Sequence, residues 1–148
     1  MISIFGIVSV VVALISVAII VLHNQVMSKR TPVDTHLEAL EDLLRQYVEE
    51  LYHTCHPDSE LFDLCSQCVD LDFDSIVKAL PDISRASEID LYIDGHENIQ
   101  AIQDTAEALN LAIEEYNNFI TGRLPGKLMA LVLGLTAEDK KVVATIFR

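Results

Sequence analysis

Basic residues are scarce in this sequence. Its 148 residues contain 10 Lys and Arg against 23 Asp and Glu, and the formal net charge is −13. All 23 acidic residues and only eight of the basic ones follow residue 31, so that part of the chain has a net charge of −15. Because nothing basic is clustered to neutralise phosphates, we exclude nucleic acid as a partner.

The sequence also lacks the short motifs that identify common catalytic sites. It contains no phosphate-binding Gly-rich loop, no His-Glu-x-x-His, no Gly-x-Ser-x-Gly and no Ser/His/Asp arrangement. Low-complexity tracts are absent as well. These absences favour a protein that is not an enzyme, and we expect no cofactor.

A long apolar stretch opens the chain. Residues 2–22 carry no charge, and a helix of this length spans roughly 30 Å, the thickness of a bilayer's hydrocarbon core. A cleaved signal peptide would instead have a basic region, a shorter apolar core and a small-residue cleavage site. This run ends in Val21-Leu22-His23-Asn24. The stretch therefore predicts a single transmembrane helix.

The basic residues beside this helix predict its orientation. Lys29 and Arg30 follow it and none precedes it, so the positive-inside rule puts the N-terminus outside and the rest of the chain in the cytoplasm, at the cell (inner) membrane.

Within the helix, small residues recur on one side and would let two copies approach closely as a homo-oligomer. This small-residue stripe consists of Gly6, Ser9, Ala13 and Ser16.

The predicted fold class is all-α. We expect a transmembrane anchor with its basic flank over residues 1–30, then an antiparallel helical bundle with two long helices over 31–148. Two apolar seams with coiled-coil-like spacing support the long helices. The first seam is Val33, Leu37, Leu40, Leu44, Tyr47 and Leu51; the second is Ile99, Ile102, Ala106, Leu109, Ile113, Tyr116 and Ile120.

Caps and prolines predict the boundaries of the helices. Thr31-Pro32 should restart the first long helix after the anchor, and Cys55 to Pro57 should end it. A short helix capped by Asp58 or Ser59, a second short helix ended by Pro81 and a loop over 81–88 should follow. The second long helix should run from about 89 to 122. After the apolar run Leu128 to Leu135, Thr136 should cap a final short helix.

Both ends of the chain resemble the LemA family. His23-Asn24-Gln25-Val26 closes the anchor, and Glu115-Tyr116-Asn117-Asn118-Phe119-Ile120 precedes Leu124-Pro125-Gly126-Lys127-Leu128-Met129-Ala130-Leu131. The family has Tyr-Asn at the end of its anchor and again shortly before a Phe-Pro-Gly segment. His23 stands where the family usually has Tyr, Leu124 stands where it usually has Phe, and residues 54–90 have no match.

The resemblance implies a membrane-anchored cytoplasmic helical bundle without an established enzymatic role. It names Asn24, Tyr116, Asn117, Pro125 and Gly126 as family-motif residues, and it implies that the two Asn-containing ends lie near each other. Asn24 and Asn117 could then pair, which would satisfy two polar groups at the lipid boundary. The segment Leu128 to Leu135 would either contact lipid or cover the end of the bundle.

The candidate metal ligands are cysteine and histidine residues near the first turn. Three cysteines, an odd number, in a cytoplasmic domain indicate free thiols or a metal site. Cys55, His56, Cys65 and Cys68 have the chemistry of zinc ligands. Alternatively, Cys65 and Cys68 are small buried residues of an apolar helix face.

Two other metal patterns are incomplete. Glu50-x-x-His53 has di-iron spacing but no second copy. Asp70, Asp72 and Asp74 resemble a calcium loop without its glycine or its final glutamate, so we expect them to cap helices.

Two functions from different classes follow from these observations. The first is a non-enzymatic membrane-anchored scaffold or adaptor of LemA type, which binds another protein at the inner face of the membrane. The alternative is a small metal- or redox-responsive membrane sensor that uses Cys55, His56, Cys65 and Cys68.

Overall fold

The computed structural model describes residues 3–89, 96–122, 124 and 126–139. Within these residues every regular element is an α-helix, which confirms the predicted all-α class. The helices, in chain order, are α1 (Ile4–Thr54), α2 (Glu60–Cys68), α3 (Phe73–Ile89), α4 (His96–Gly122) and α5 (Gly126–Leu133).

Helix α1 joins the predicted anchor to the first long helix without a break. The predicted restart at Thr31-Pro32 is therefore wrong: Pro32 lies inside α1, and the Thr31 hydroxyl donates to the Met27 carbonyl at 2.8 Å. An interior proline costs about 3 kcal/mol because it removes a backbone hydrogen bond and crowds the preceding turn. Buried apolar side chains on the next turns, among them Val33 and Leu40, offset that cost.

The ends of α1 and α2 agree with their predicted caps. Helix α1 ends at Thr54, next to the predicted stop, and α2 follows after a short turn. Ser59 is the N-cap of α2, and its hydroxyl accepts a hydrogen bond from the Phe62 amide at 3.2 Å.

Helix α3 extends beyond the boundary that Pro81 predicts. Pro81 does not end a helix, and residues 81–88 are not a loop, because α3 continues through both to Ile89. The physical reason is an apolar stripe at helical spacing, Ile76, Leu80 and Ile83, which is fully buried. Pro81 itself is exposed on the other side.

The structure describes α4 from His96, so the first residues of the predicted second long helix, 90–95, lie outside the described residues. The predicted end at Gly122 is confirmed. The predicted final helix capped by Thr136 is wrong for residues 136–139, which form no regular element, and its remainder lies outside the described residues.

The chain divides into two compact units, and both long helices contribute to each. In the described residues, the first unit comprises 3–33 with 112–139, and the second comprises 34–111. The predicted boundary at residue 30 thus falls inside the first unit.

The apolar seams form the cores of the units. Every described seam position is buried except Leu37 and Ile99, which are half-buried. In the second unit, α2 and α3 complete the core with Leu61, Cys65, Cys68, Ile76, Leu80 and Ile83. Tyr52 of α1 stacks on Phe62 of α2, with ring centroids 4.9 Å apart.

The N-terminal part of α1 is the exception to this burial. It is long and apolar enough to cross a membrane, and none of its most apolar window is buried within the structure. Large side chains such as Phe5, Leu14 and Ile20 are more than half exposed.

Candidate functional site

The C-terminal family-motif residues lie in the first unit, where α1, α4 and the segment after α5 meet. Asn117 is on α4, and its side-chain amide makes two hydrogen bonds to one backbone residue, Glu138. Its Nδ2 donates to the Glu138 carbonyl at 2.8 Å, and its Oδ1 accepts from the Glu138 amide at 2.9 Å. This paired arrangement attaches the chain after α5 to α4.

Asn24 does not take part in this arrangement. It is exposed on α1, whereas Asn117 is half-buried and both its donor and its acceptor are used by Glu138. The predicted pairing of Asn24 with Asn117 is therefore wrong. A backbone residue satisfies the amide better, because its N–H and C=O match both halves of the amide at once.

Arg30 brings a positive charge next to the contact between Asn117 and Glu138. Its guanidinium forms an ion pair with the Glu138 carboxylate, and it lies over the ring of the buried Tyr116, 5.4 Å from the centroid. Side chains of this pair are about one-third exposed, at 31% and 36%, so solvent screens the ion pair only partly. We refer to Arg30, Tyr116, Asn117 and Glu138 together as the Arg30 cluster.

A second ion pair joins α1 to α4. Lys29 lies 3.7 Å from the Glu115 carboxylate. Both side chains are well exposed, so this pair contributes little to stability. Its consequence is electrostatic: both basic residues that follow the apolar stretch have acidic partners on other parts of the first unit.

Gly126 explains why α5 can begin so close to α4. A Cβ at this position would stand 2.0 Å from the carbonyl oxygen of Phe119, which is far inside contact distance. Only glycine allows this approach of the two backbones. Pro125, the other residue of this part of the motif, lies outside the described residues.

Helix α5 carries most of the apolar segment predicted from Leu128 to Leu135. It lies beside the last turns of the apolar part of α1, and the two helices form a groove of about 320 Å³. We call it the α5 groove; its lining residues are Ile19, Ile20, Leu22, His23, Leu128, Met129, Val132 and Leu133. Met129 is buried, whereas Leu131 is 80% exposed.

The cysteines belong to the second unit, and all three are free and buried. Burial, with smaller contributions from the neighbouring Cys55 and Cys68, raises the pKa of Cys65 to about 12. Burial also raises the pKa of Cys68. Both thiols are therefore protonated at neutral pH, and a protonated thiol is a poor nucleophile.

The histidine of the predicted zinc site is engaged locally. His56 is exposed, and its Nδ1 accepts a hydrogen bond from the Asp58 amide at 3.2 Å within the turn after α1. In the part of the chain that the structure describes, no three His, Cys, Asp or Glu side chains converge as metal ligands would. The cysteines match the alternative interpretation, as small buried residues of a helix face.

Residues of the two remaining metal patterns interact with neighbours in the sequence. His53 lies 3.9 Å from Glu49, one turn away on the exposed side of α1. Asp72 precedes α3, and its carboxylate accepts a hydrogen bond from the Ser75 hydroxyl. That bond, more than any other contact, lowers the pKa of Asp72. Asp72 is thus the helix cap predicted from the sequence.

Sequence reasoning missed the pairing of Arg30 with Glu138. Arg30 served only as evidence of orientation, and Glu138 was assigned to a helix. The two residues are 108 positions apart, and no local pattern relates them. The Tyr-Asn of the family motif is the one signal that marked their neighbourhood.

Compared with protein-family models, curated proteins and solved structures, the chain has no significant match. The LemA resemblance therefore depends on the quoted motif residues alone.

Proposed function

We propose that this protein is a single-pass membrane protein whose cytoplasmic helical part acts as a non-enzymatic scaffold or adaptor of LemA type. The observation that carries the proposal is the continuity of α1. Its first part is apolar and exposed, and its last part contributes to the core of the second unit. One helix thus links a lipid-compatible surface directly to a folded acidic domain.

The exposed apolar part of α1 supports the membrane crossing. Leaving the 13 exposed large apolar side chains between Ile4 and Val21 in water would cost on the order of tens of kcal/mol, which a lipid environment removes. Residues 4–22 of α1 measure about 28 Å, close to the hydrocarbon thickness of a bilayer. The proposed orientation, with the N-terminus outside, rests on Lys29 and Arg30.

Two features support an antiparallel bundle. The predicted seams of α1 and α4 are both buried. The early part of α1 groups with the late part of α4 in the first unit, while the late part of α1 and the early part of α4 belong to the second. This is the grouping that antiparallel helices produce.

The chemistry of the buried groups supports a scaffold. Burial raises the pKa values of Tyr47, Cys65 and Cys68, and this keeps the three side chains neutral and unreactive. The polar residues of the Arg30 cluster connect α1 and α4 to the segment after α5. The metal-sensor alternative needs converging ligands, and no three His, Cys, Asp or Glu side chains converge in the part of the chain that the structure describes.

The proposed partner surface is an acidic face of α1 in the second unit. Glu38, Asp42 and Glu49 are exposed, and their spacing of four and seven residues puts them on one side of the helix. A partner with a basic surface would be attracted by this face and by the net charge of the domain.

Protease protection tests the orientation. Protease added to right-side-out vesicles should leave the chain after Arg30 intact, and detergent should then expose it to cleavage. Cleavage within α2 or α3 before detergent is added would overturn the proposed orientation.

Photo-crosslinking tests the scaffold. A crosslinker placed at Glu38, Asp42 or Glu49 in native membranes should trap one discrete protein, and Glu38→Lys with Asp42→Lys should abolish the product formed from position 49. The matched control is the same crosslinker at Gln67, an exposed neutral residue of α2. If the acidic positions trap nothing more than Gln67 does, the scaffold proposal fails.

Lateral association through the small-residue stripe is a further part of the proposal. The hydroxyls of Ser9 and Ser16 donate within α1, to Phe5 at 2.8 Å and to Val12 at 2.9 Å, so contact between copies would depend on small size. Gly6→Leu with Ser9→Leu and Ser16→Leu should weaken association in membranes, whereas Val8→Leu should not. An unchanged oligomeric state in the triple variant would defeat this part.

A further inference from the structure

Helix α5 is an exposed apolar helix in a protein that is otherwise acidic. Six of its eight residues are Leu, Met, Ala or Val, and only Gly126 and Met129 are buried. Leu131 is 80% exposed, and Leu124, just before the helix, is 78% exposed. An apolar patch of this kind marks an interaction surface, because water does not stabilise it.

The α5 groove connects this patch to the apolar part of α1. Seven of the eight side chains that line the groove are apolar. The eighth is His23, which directly follows the apolar stretch in the sequence. The exposed surfaces of α5 and of residues 19–22 are therefore continuous within the first unit. Whatever solvent surrounds residues 19–22 also reaches the groove and the exposed side of α5.

The position of these residues along α1 indicates their depth in a membrane. If residues 4–22 cross the hydrocarbon core, Ile19 lies about 5 Å inside its cytoplasmic boundary and Leu22 lies at the boundary. Helix α5, which contacts α1 at this level, would then lie at the depth that interfacial helices occupy.

The polar groups around α5 fit that depth. Lys127, in the first turn of α5, is exposed, and a lysine can extend its ammonium from the apolar level toward headgroups. The Arg30 cluster follows Leu22 by two turns of α1 and holds the chain after α5 through Asn117 and Glu138. Helix α5 is thus attached at both ends, by Gly126 against Phe119 and by this cluster.

From this geometry we propose that α5 is an interfacial membrane helix: it is embedded in the cytoplasmic leaflet beside α1, and lipid acyl chains fill the α5 groove. This inference rests on the membrane crossing proposed for α1. The occupant is lipid because the groove is continuous with the surface of α1 that crosses the bilayer. The protein would then contact the membrane through two helices, which orients its cytoplasmic part.

Single tryptophan residues test the proposal cleanly, because the chain contains none. Three variants of the full-length protein, Leu131→Trp, Val12→Trp and Leu111→Trp, are reconstituted into phosphatidylcholine and phosphatidylglycerol vesicles with or without brominated acyl chains. Val12 reports the proposed span. Leu111 is a matched control, an exposed leucine of α4 to which the proposal assigns no lipid contact.

We expect tryptophan at position 131 to emit at shorter wavelength than at position 111, and brominated chains to quench it at least half as strongly as at position 12. Quenching at 12 with none at 131 would overturn the interfacial helix and leave the anchor standing. A blue shift at 131 without quenching would also overturn it, since protein and not lipid would then cover α5. No quenching at position 12 would overturn the membrane crossing and the inference with it.

Discussion

Asn117 attaches the chain after α5 to α4. Its amide makes both hydrogen bonds to Glu138, and a neutral protein hydrogen bond contributes about 0.5–1.5 kcal/mol. We predict that Asn117→Ala lowers stability by about 1–2 kcal/mol and accelerates hydrogen exchange at the Glu138 amide. Asn117→Asp, which keeps the acceptor but loses the donor, should slow that exchange relative to Asn117→Ala.

Asn118→Ala is the matched control for this prediction, since Asn118 is the exposed neighbour of Asn117 on α4. It should leave exchange at Glu138 unchanged. If both alanine variants exchange at the same rate, the Glu138 backbone is held by something other than the Asn117 amide.

Cys65 makes the second unit sensitive to alkaline pH. Its folded-state pKa of about 12 lies above the ordinary thiol value of 9.0, because burial disfavours the thiolate. The stability linked to its neutral form is thus fully present below pH 9 and is lost as the pH rises toward 12. Tyr47, whose pKa burial also raises, acts in the same direction.

We therefore predict that the denaturant midpoint falls as the pH rises above 9, and that the fall is shallower in Cys65→Ala. At neutral pH, none of the three cysteines should react quickly with a thiol reagent until the protein is unfolded. A midpoint independent of alkaline pH, or rapid labelling of Cys65 in the folded protein, would contradict this assignment.

Among the elements, α5 depends on one glycine for its position. We predict that Gly126→Ala costs about 1–3 kcal/mol, because the new methyl group must displace the Phe119 backbone or α5 itself. Gly122→Ala is the matched control, since a Cβ there meets nothing within 4 Å and alanine favours a helix. Thermal unfolding in detergent measures both.

Gly126→Ala should lower the unfolding midpoint, whereas Gly122→Ala should leave it unchanged or raise it. Equal effects of the two substitutions would mean that α5 does not approach α4 as closely as the structure has it.

The helices themselves could be predicted from apolar periodicity, but their boundaries could not always be predicted from prolines. The seams in α1 and α4 and the Ser59 cap were correct because each depends on local spacing. Pro32 and Pro81 were misleading, since burial on the opposite face of a helix outweighs one lost hydrogen bond. In α3, the spacing of Ile76, Leu80 and Ile83 already contained the correct signal.

The site was less predictable than the helices. The motif residues Tyr116, Asn117 and Gly126 were named, and the structure gives each a physical role in the first unit. Their partners could not be named, because Glu138 and the Phe119 carbonyl are brought to them by the fold and not by any sequence pattern. A backbone partner in particular leaves no trace in side-chain identity.

At the scale of the whole molecule, α1 runs through both units, as α4 does, and Pro32 lies close to the residue at which α1 passes from one to the other. If α1 is continuous there, Pro32→Ala should stabilise the protein by about 1–3 kcal/mol, because alanine restores a backbone hydrogen bond. If a new helix instead began at Pro32, proline would suit that position and its replacement would bring no gain.

Pro57→Ala, in the turn after α1, is the control and should cost about 0.4–1 kcal/mol. The thermal unfolding midpoints of both variants are measured in one detergent. A higher midpoint for Pro32→Ala with a lower one for Pro57→Ala supports a continuous α1 at Pro32. A lower midpoint for both variants would contradict that continuity.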